Sequence, residues 1–268
     1  MTVNDMVNLN TGLNQVQNNV LDRIASGQVV NQASDDASGL LIADNLRTQT
    51  SGISQSIENA NSGIAMSNIA DNAISEQKDI LTEIKRLTIQ AMNGTTGTAG
   101  REAISGQINK YLDQYENIAQ QTNYNGTQLL TTTGDPAKDD LSIVNDQGSI
   151  PIQKADTTSV SDQLRTFMSD FVTNPSSREG ILDAVDSGLD QLSSNAAEFG
   201  SATNQLESMV RNYMTAETNT QAARSTIIDA DIPKSVSDFN KTNIQSQVGY
   251  FAQSQANAVQ SRVVALLS

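Results

Sequence analysis

Residues Leu182–Tyr213 read LDAVDSGLDQLSSNAAEFGSATNQLESMVRNY. Within them Leu182, Val185, Leu189, Leu192, Ala196, Phe199, Thr203, Leu206, Val210 and Tyr213 follow at alternating spacings of three and four. Nine steps pass without a slip, and only Thr203 is polar. A stripe with this period is a heptad seam, which hides itself against another helix. The stretch therefore predicts a helix over about 179–226 and a mainly α fold built as a long antiparallel helical coiled-coil rod.

The partners for this seam lie upstream. A helical pattern runs over about 38–92, with Leu46, Ile53, Ile57, Ala60 and Ile64 in its first half. Leu81, Ile84, Leu87 and Ala91 mark its second half. About 50 residues of helix span roughly 75–80 Å, far beyond the usual globular length. NGTTGTAG (93–100) breaks the pattern with turn residues, and a second helix follows over about 100–122. NYNGTQLL (123–130) reads as a loop. Two short β-branched runs over 141–154 predict a small β-hairpin, in which Pro151 confines the second run to an edge. A short helix is expected over 160–172.

Both ends of the chain carry amphipathic helices of unusual polarity. Met6, Leu9, Leu13, Val16, Val20 and Ile24 form one stripe near the N-terminus. Ile244, Val248, Ala252, Ala256, Val259, Val263 and Leu266 form another near the C-terminus. The remaining faces are rich in Asn, Gln and Ser and nearly free of charge. A lone stripe cannot bury itself, so each helix needs a partner, from the other terminus or from another copy. The expected organisation is an amphipathic N-terminal helix in 1–33, a long helical segment with the small hairpin in 34–230 and an amphipathic C-terminal helix in 231–268.

Composition removes most chemistry. Among 268 residues there is no His, no Cys and no Trp, which excludes thiolate and imidazole catalysis and zinc-thiolate sites. A formal charge of −14 opposes binding to phosphate backbones. No apolar run approaches the ~18 residues that cross a bilayer. The first residues lack a basic region followed by an apolar stretch, so the chain is expected either to be cytoplasmic or to be exported by a route without a cleaved signal peptide.

The adjacent Asp35 and Asp36, in RIASGQVVNQASDDASG (23–39), invite a catalytic reading. Neighbouring carboxylates at a helix start point apart, and capping by Ser34 or Asp35 explains them better. Asp229, Asp231 and Pro233 supply matching helix-start chemistry before the last helix. These six residues are expected to form the joint between core helices and rod. No calcium-loop pattern links the four aspartates. Lys85 and Arg86 read as a solvated face. Asn93 and Asn125 sit in N-G-T sequons that are also ordinary turns.

Three stretches carry a family resemblance: RIASGQVVNQASDDASGLLIADNLR (23–47), YNGTQLL (124–130) and ARSTIIDADIPKSVSDFNKTNIQSQVGYFAQSQANAVQSRVVALLS (223–268). In this order they resemble the signatures of bacterial flagellins. The resemblance implies a structural subunit that polymerises into the bacterial flagellar filament for swimming motility. It implies paired terminal helices at the filament core, with Met6, Leu9, Leu13, Val16, Val20, Ile24, Ile244, Val248, Val259, Val263 and Leu266 as assembly contacts. It also implies an extracellular location, no cofactor and no enzyme activity. The partners implied are further copies, hook-associated junction and cap proteins, and an export chaperone and apparatus. Only about 50 residues separate YNGTQLL from the heptad helix, so a short form without outer domains is expected. In the segment that the family presents to an immune receptor, Glu83 stands where Arg is usual, ahead of Leu87. A hook–filament junction protein is the alternative within this architecture, and a soluble coiled-coil binding protein is the alternative outside it.

Overall fold

A computed structural model of the chain describes residues 3–135, 139–146 and 148–267. The described residues form six helices: α1 (Val3–Ser26), α2 (Ala37–Met92), α3 (Thr98–Gln121), α4 (Thr158–Met168), α5 (Pro175–Ile228) and α6 (Ile232–Leu267). Two antiparallel hairpins, β1–β2 (Asn123–Tyr124 with Thr127–Gln128) and β3–β4 (Ile143–Asn145 with Gly148–Ile150), complete it. The fold is thus mainly α. Two compact units divide the chain: 1–51 with 217–268, and 52–216. Because α2 and α5 each contribute to both units, the expected boundaries at 33/34 and 230/231 fall inside the first. The short helix ends earlier than expected, at Met168 rather than 172.

The unit over 52–216 holds the main apolar core. Leu81, Ile84, Leu87, Leu112, Tyr115, Val185, Leu192, Phe199 and Leu206 are buried there, with Leu189 and Val210 half-buried against them. At the start of the heptad seam Ile181 is fully buried, while Leu182 is only half-buried. Over its first turns the burial therefore sits one position to the side of the sequence reading. Thr203 returns its hydroxyl to the Phe199 carbonyl at 3.0 Å, which satisfies the one polar seam position within its own helix.

Two glycines set how closely the elements approach. A methyl group at Gly188 would lie 2.6 Å from Val160 Cγ1 and 3.1 Å from Leu81 Cδ1, so α2 and α4 meet α5 across a bare backbone. At Gly63 the same addition would meet Ile143 Cγ1 at 2.7 Å and Leu206 Cδ1 at 2.9 Å. The β3–β4 hairpin is seated there. Asn59 Nδ2 donates to the Val144 carbonyl at 3.0 Å, and Asp146 N donates to Ser56 Oγ at 3.1 Å.

NYNGTQLL, expected as a loop, forms the β1–β2 hairpin. Asn125 (φ 50°) and Gly126 (φ 81°) both take left-handed backbone, the requirement of a two-residue I′ turn. The Asn-Gly pair was the available signal. The turn delivers Leu129 and Leu130 into the core, both fully buried. A buried polar knot then fastens the segment. Gln77 Nε2 donates to the Tyr115 carbonyl (3.2 Å) and to Thr157 Oγ1 (3.0 Å). Thr157 Oγ1 donates to the Leu130 carbonyl at 3.2 Å, and Tyr115 donates its phenol to the Thr157 carbonyl at 3.1 Å.

Burial pushes the Tyr115 phenol well above its ordinary value, and burial also raises Tyr213. The unfolded chain releases such protons near pH ~10, whereas the folded chain holds them. Alkali therefore favours unfolding: stability falls as pH rises above about 10. We expect an ultraviolet titration of the five tyrosines to show two titrating late and together with loss of helicity. Five independent transitions before unfolding would contradict this.

Candidate assembly surface

The unit over 1–51 and 217–268 contains both terminal helices and the joints that deliver them. Helix α1 stops at Gly27, whose φ of +69° is the left-handed conformation that closes a helix C-terminus. Gly27 N donates to the Arg23 carbonyl at 2.9 Å. The two crossing segments then pair antiparallel, Gln28 opposite Asp229. Val29 N donates to the Ile228 carbonyl (2.6 Å) and Ala230 N to the Gly27 carbonyl (2.9 Å).

Asp35 and Asp36 divide the work of the first joint. Asp36 Oδ1 accepts from Ser38 N (3.0 Å) and Gly39 N (2.9 Å), and so caps α2. Asp35 Oδ2 accepts from Asn31 N (3.0 Å) and Gln32 N (3.1 Å), which closes the turn in front. The expected cap at Ser34 or Asp35 is thereby corrected by one position: Ala37 is the first helical residue, so Asp36 is the one whose side chain reaches the free N–H groups. Gly39 belongs to the cap as well, since a Cβ there would sit 2.6 Å from Asp36 Oδ2. In the second joint Asp231 Oδ1 accepts from Lys234 N at 3.0 Å, with Pro233 in the first turn of α6, and Asp229 accepts the Ser225 hydroxyl. Asp36→Ala is expected to cost about 1 kcal/mol, the worth of an N-cap. Hydrogen exchange at residues 38–40 should accelerate about fivefold, with exchange in the 52–216 unit unchanged.

Each of these carboxylates is turned to backbone N–H or a local hydroxyl, and no cluster of three metal-ligating residues exists among the described residues. Lys85 pairs with Asp186, and Arg86 with Glu83 at 2.6 Å. That guanidinium holds the Glu83 carboxyl below the usual range. Leu87, expected on a receptor-facing segment, points into the core and is 3% exposed. Phase explains this: Leu87 follows Leu81 and Ile84 on one face of α2.

Helices α1 and α6 pair within one chain. The contact is polar. Thr242 and Ser246 are 6% and 4% exposed, and Asn10 is buried on the α1 side. Asn14 Nδ2 donates to the Tyr250 phenol oxygen at 2.9 Å, and Ser246 Oγ donates to Asn14 Oδ1 at 3.4 Å. Of the α1 stripe, Val20 is buried, Leu13 and Ile24 are half-buried, and Val16 is 51% exposed. The side chains of Met6 and Leu9 lie outside the described residues. The α6 stripe faces water throughout its large members: Ile244 62%, Val248 61%, Val259 56%, Val263 48% and Leu266 86%. Phe251, which the stripe reading passed over, joins them at 66%. Its signal was position: at ~100° per residue it falls near Ile244 and Val248.

An exposed apolar face of this length marks a surface that something else covers. Its electrostatics suit a second copy of the same chain. α6 carries Lys234, Lys241 and Arg262 against Asp238, and α1 carries Arg23 against Asp5 and Asp22. The two helices together sum to +1 in a chain of −14. Identical subunits can meet here without the repulsion that the rest of their surface would impose.

Comparison with known proteins identifies the family. The profile of the bacterial flagellin N-terminal helical region matches residues 1–135, and that of the bacterial flagellin C-terminal helical region matches 182–267. The chain belongs to the bacterial flagellins. It is 29% identical to a flagellin of Halalkalibacterium halodurans, over 97% of this chain and 94% of that one. It is 30% identical to a flagellin of Bacillus subtilis, over 92% and 91%. The solved structure of Bacillus cereus flagellin shares its fold, with a TM-score of 0.52, 24% identity and coverage of 62% of this chain and 94% of that one. A putative flagellar hook-associated protein from Vibrio parahaemolyticus also shares the fold, at a TM-score of 0.65, but at 14% identity over 73% of this chain and all of its own. The hook-associated proteins are the more distant relatives in sequence. This flagellin is accordingly a structural subunit of the flagellar filament, in a short form, and the filament lies outside the cell. Flagellins are structural proteins.

Proposed function

We propose that the exposed apolar faces of α1 and α6 are the surface through which this flagellin adds to copies of itself. The contact is heterologous, one face meeting a different face of the next subunit, which generates an open helix rather than a closed ring. The filament does mechanical work by being long and stiff; no reaction is catalysed. We further assign the core contacts to Leu13, Val16, Val20, Ile24, Ile244, Val248, Val259, Val263 and Leu266. Hook-associated junction and cap proteins meet the two ends of the polymer, and an export chaperone and the flagellar export apparatus handle the chain before assembly.

The observation that carries this reading is the outward-facing stripe of α6 on a helix pair whose charges nearly cancel. Sedimentation and electron microscopy of the full chain at increasing concentration test it. Filaments above a critical concentration are expected. A monodisperse chain at every concentration, also when seeded with preformed fragments, would overturn it in favour of a non-polymerising helical protein.

A further inference from the structure

The chain carries the same tripeptide, Asn-Gly-Thr, at 93–95 and at 125–127, and all six residues are exposed. An asparagine before glycine is open to attack by the main chain on its own side chain, because glycine puts no Cβ in the way. In both copies the attacking group is free: neither Gly94 N nor Gly126 N donates a hydrogen bond within the described residues. What the fold does with the asparagine differs.

At 93–95 the asparagine side chain is held and polarised. Asn93 follows the last residue of α2, and its Oδ1 accepts from Thr95 N (3.1 Å) and from Thr95 Oγ1 (3.0 Å). Both donors draw electron density from the amide carbon, Cγ. Both already stand where negative charge would gather if a nucleophile added to that carbon, which is the arrangement of an oxyanion hole. The nucleophile is the next nitrogen along the chain, Gly94 N. Space is open around it, since a Cβ at Gly94 or at Gly97 would meet nothing within 4 Å.

At 125–127 the same residues are committed to a hairpin. Thr127 pairs opposite Tyr124 in the β1–β2 ladder, and the Asn125 amide makes no hydrogen bond within the described residues. Asn125 and Gly126 are both fixed in left-handed backbone. Closing a ring there would rotate the turn out of the conformation that joins the two strands.

We propose that Asn93 is a site of spontaneous deamidation, driven by Gly94 N and assisted by Thr95. Gly94 N forms a bond to Asn93 Cγ, the Cγ–Nδ2 bond breaks, and ammonia leaves with the proton that Gly94 N gives up through water. The product is a five-membered cyclic imide. Water then opens it at Cγ to give aspartate, or at the main-chain carbonyl carbon to give isoaspartate. Water is the only co-reactant. Either product puts a carboxylate just beyond the end of α2, where the helix carbonyls disfavour negative charge and the last turn holds no basic residue. Isoaspartate also lengthens the main chain by one methylene inside the turn, which displaces the bond from Thr96 N to the Asn93 carbonyl (3.0 Å). The link between α2 and α3 is thereby loosened in old molecules. A filament subunit outside the cell is beyond intracellular repair, so the change accumulates with age.

The full chain, held at physiological pH and temperature and sampled over weeks, tests this. Peptide mapping by mass spectrometry with electron-transfer fragmentation reads each site and separates isoaspartate from aspartate. Modification at Asn93 should run about fivefold or more ahead of Asn125. Thr95→Val keeps the shape and removes the hydroxyl donor. It should slow Asn93 about fivefold, less than a buried oxyanion hole loses because water competes at an exposed site, and leave Asn125 unchanged. In urea, where only the shared tripeptide remains, the two sites should react at similar rates. Equal rates in the folded chain, a lead for Asn125, no slowing in Thr95→Val, or a preference that persists in urea would each overturn the proposal.

Discussion

Val248→Asp and Val263→Asp subunits are expected to make no filaments at concentrations where the parent polymerises, while keeping parental helicity and thermal stability. Both valines are about half or more exposed in the single chain. A carboxylate there stays in water and costs the free subunit little. Within a polymer the same position is covered by a neighbour. Burying a carboxylate without a cation costs several kcal/mol, and every ~1.4 kcal/mol is tenfold in an association constant. The critical concentration should therefore rise about 100-fold or more. Val248→Thr, which keeps the shape and adds one hydroxyl, should shift it far less. Sedimentation with electron microscopy reads the outcome. Filaments from either aspartate variant at the parental threshold would remove that valine from the assembly surface.

Leu81→Ala acts on the other unit and is expected to do the reverse: to lower stability strongly and leave the assembly surface chemically intact. Leu81 is fully buried, and it meets the bare backbone of Gly188 beside Val160. Helices α2, α4 and α5 converge there. Long helices cannot bend into a hole, so the cavity should persist. Persistent cavities place the loss toward the upper part of the ~2–5 kcal/mol range for Leu→Ala. At about 2–4 °C per kcal/mol for a unit of this size, the midpoint of the 52–216 transition should fall by roughly 8–20 °C. Calorimetry and circular dichroism measure it. A drop below about 3 °C would mean that the junction collapses to fill the space.

Each of these outcomes comes from burial, and burial is where the sequence was least informative. The heptad period at Leu182–Tyr213 was enough to predict a long helix seeking a helical partner. The absence of His and Cys was enough to exclude thiolate and imidazole catalysis, and the three flagellin-like stretches were enough to name the family. Asp36 and Asp231 could be read as helix starters because capping is local: a side chain three residues from a free N–H either reaches it or does not. The one-residue error between Asp35 and Asp36 has the same origin, since both lie within reach until the first helical residue is known. The β1–β2 hairpin was missed although Asn125-Gly126 announced it, because strands of two residues leave no periodicity to count.

The terminal helices mark the limit. Their stripes were legible, and so was the need for a covering partner. Which face each helix turns to the other was not. On α6 a polar seam of Thr242, Ser246 and Gly249 and an apolar stripe of Ile244, Val248 and Phe251 are interleaved in sequence, and either could have formed the intrachain contact. Hydrophobic periodicity ranks the stripe first. The tertiary structure reverses the ranking, because the contact with α1 uses hydrogen bonds and close backbone approach from Asn10, Asn14 and Tyr250. Those depend on residues more than 200 positions apart. The sequence by itself determined a helical filament subunit with two unsatisfied faces; only the folded chain decided that its own termini meet through the polar face and hold the apolar one outward.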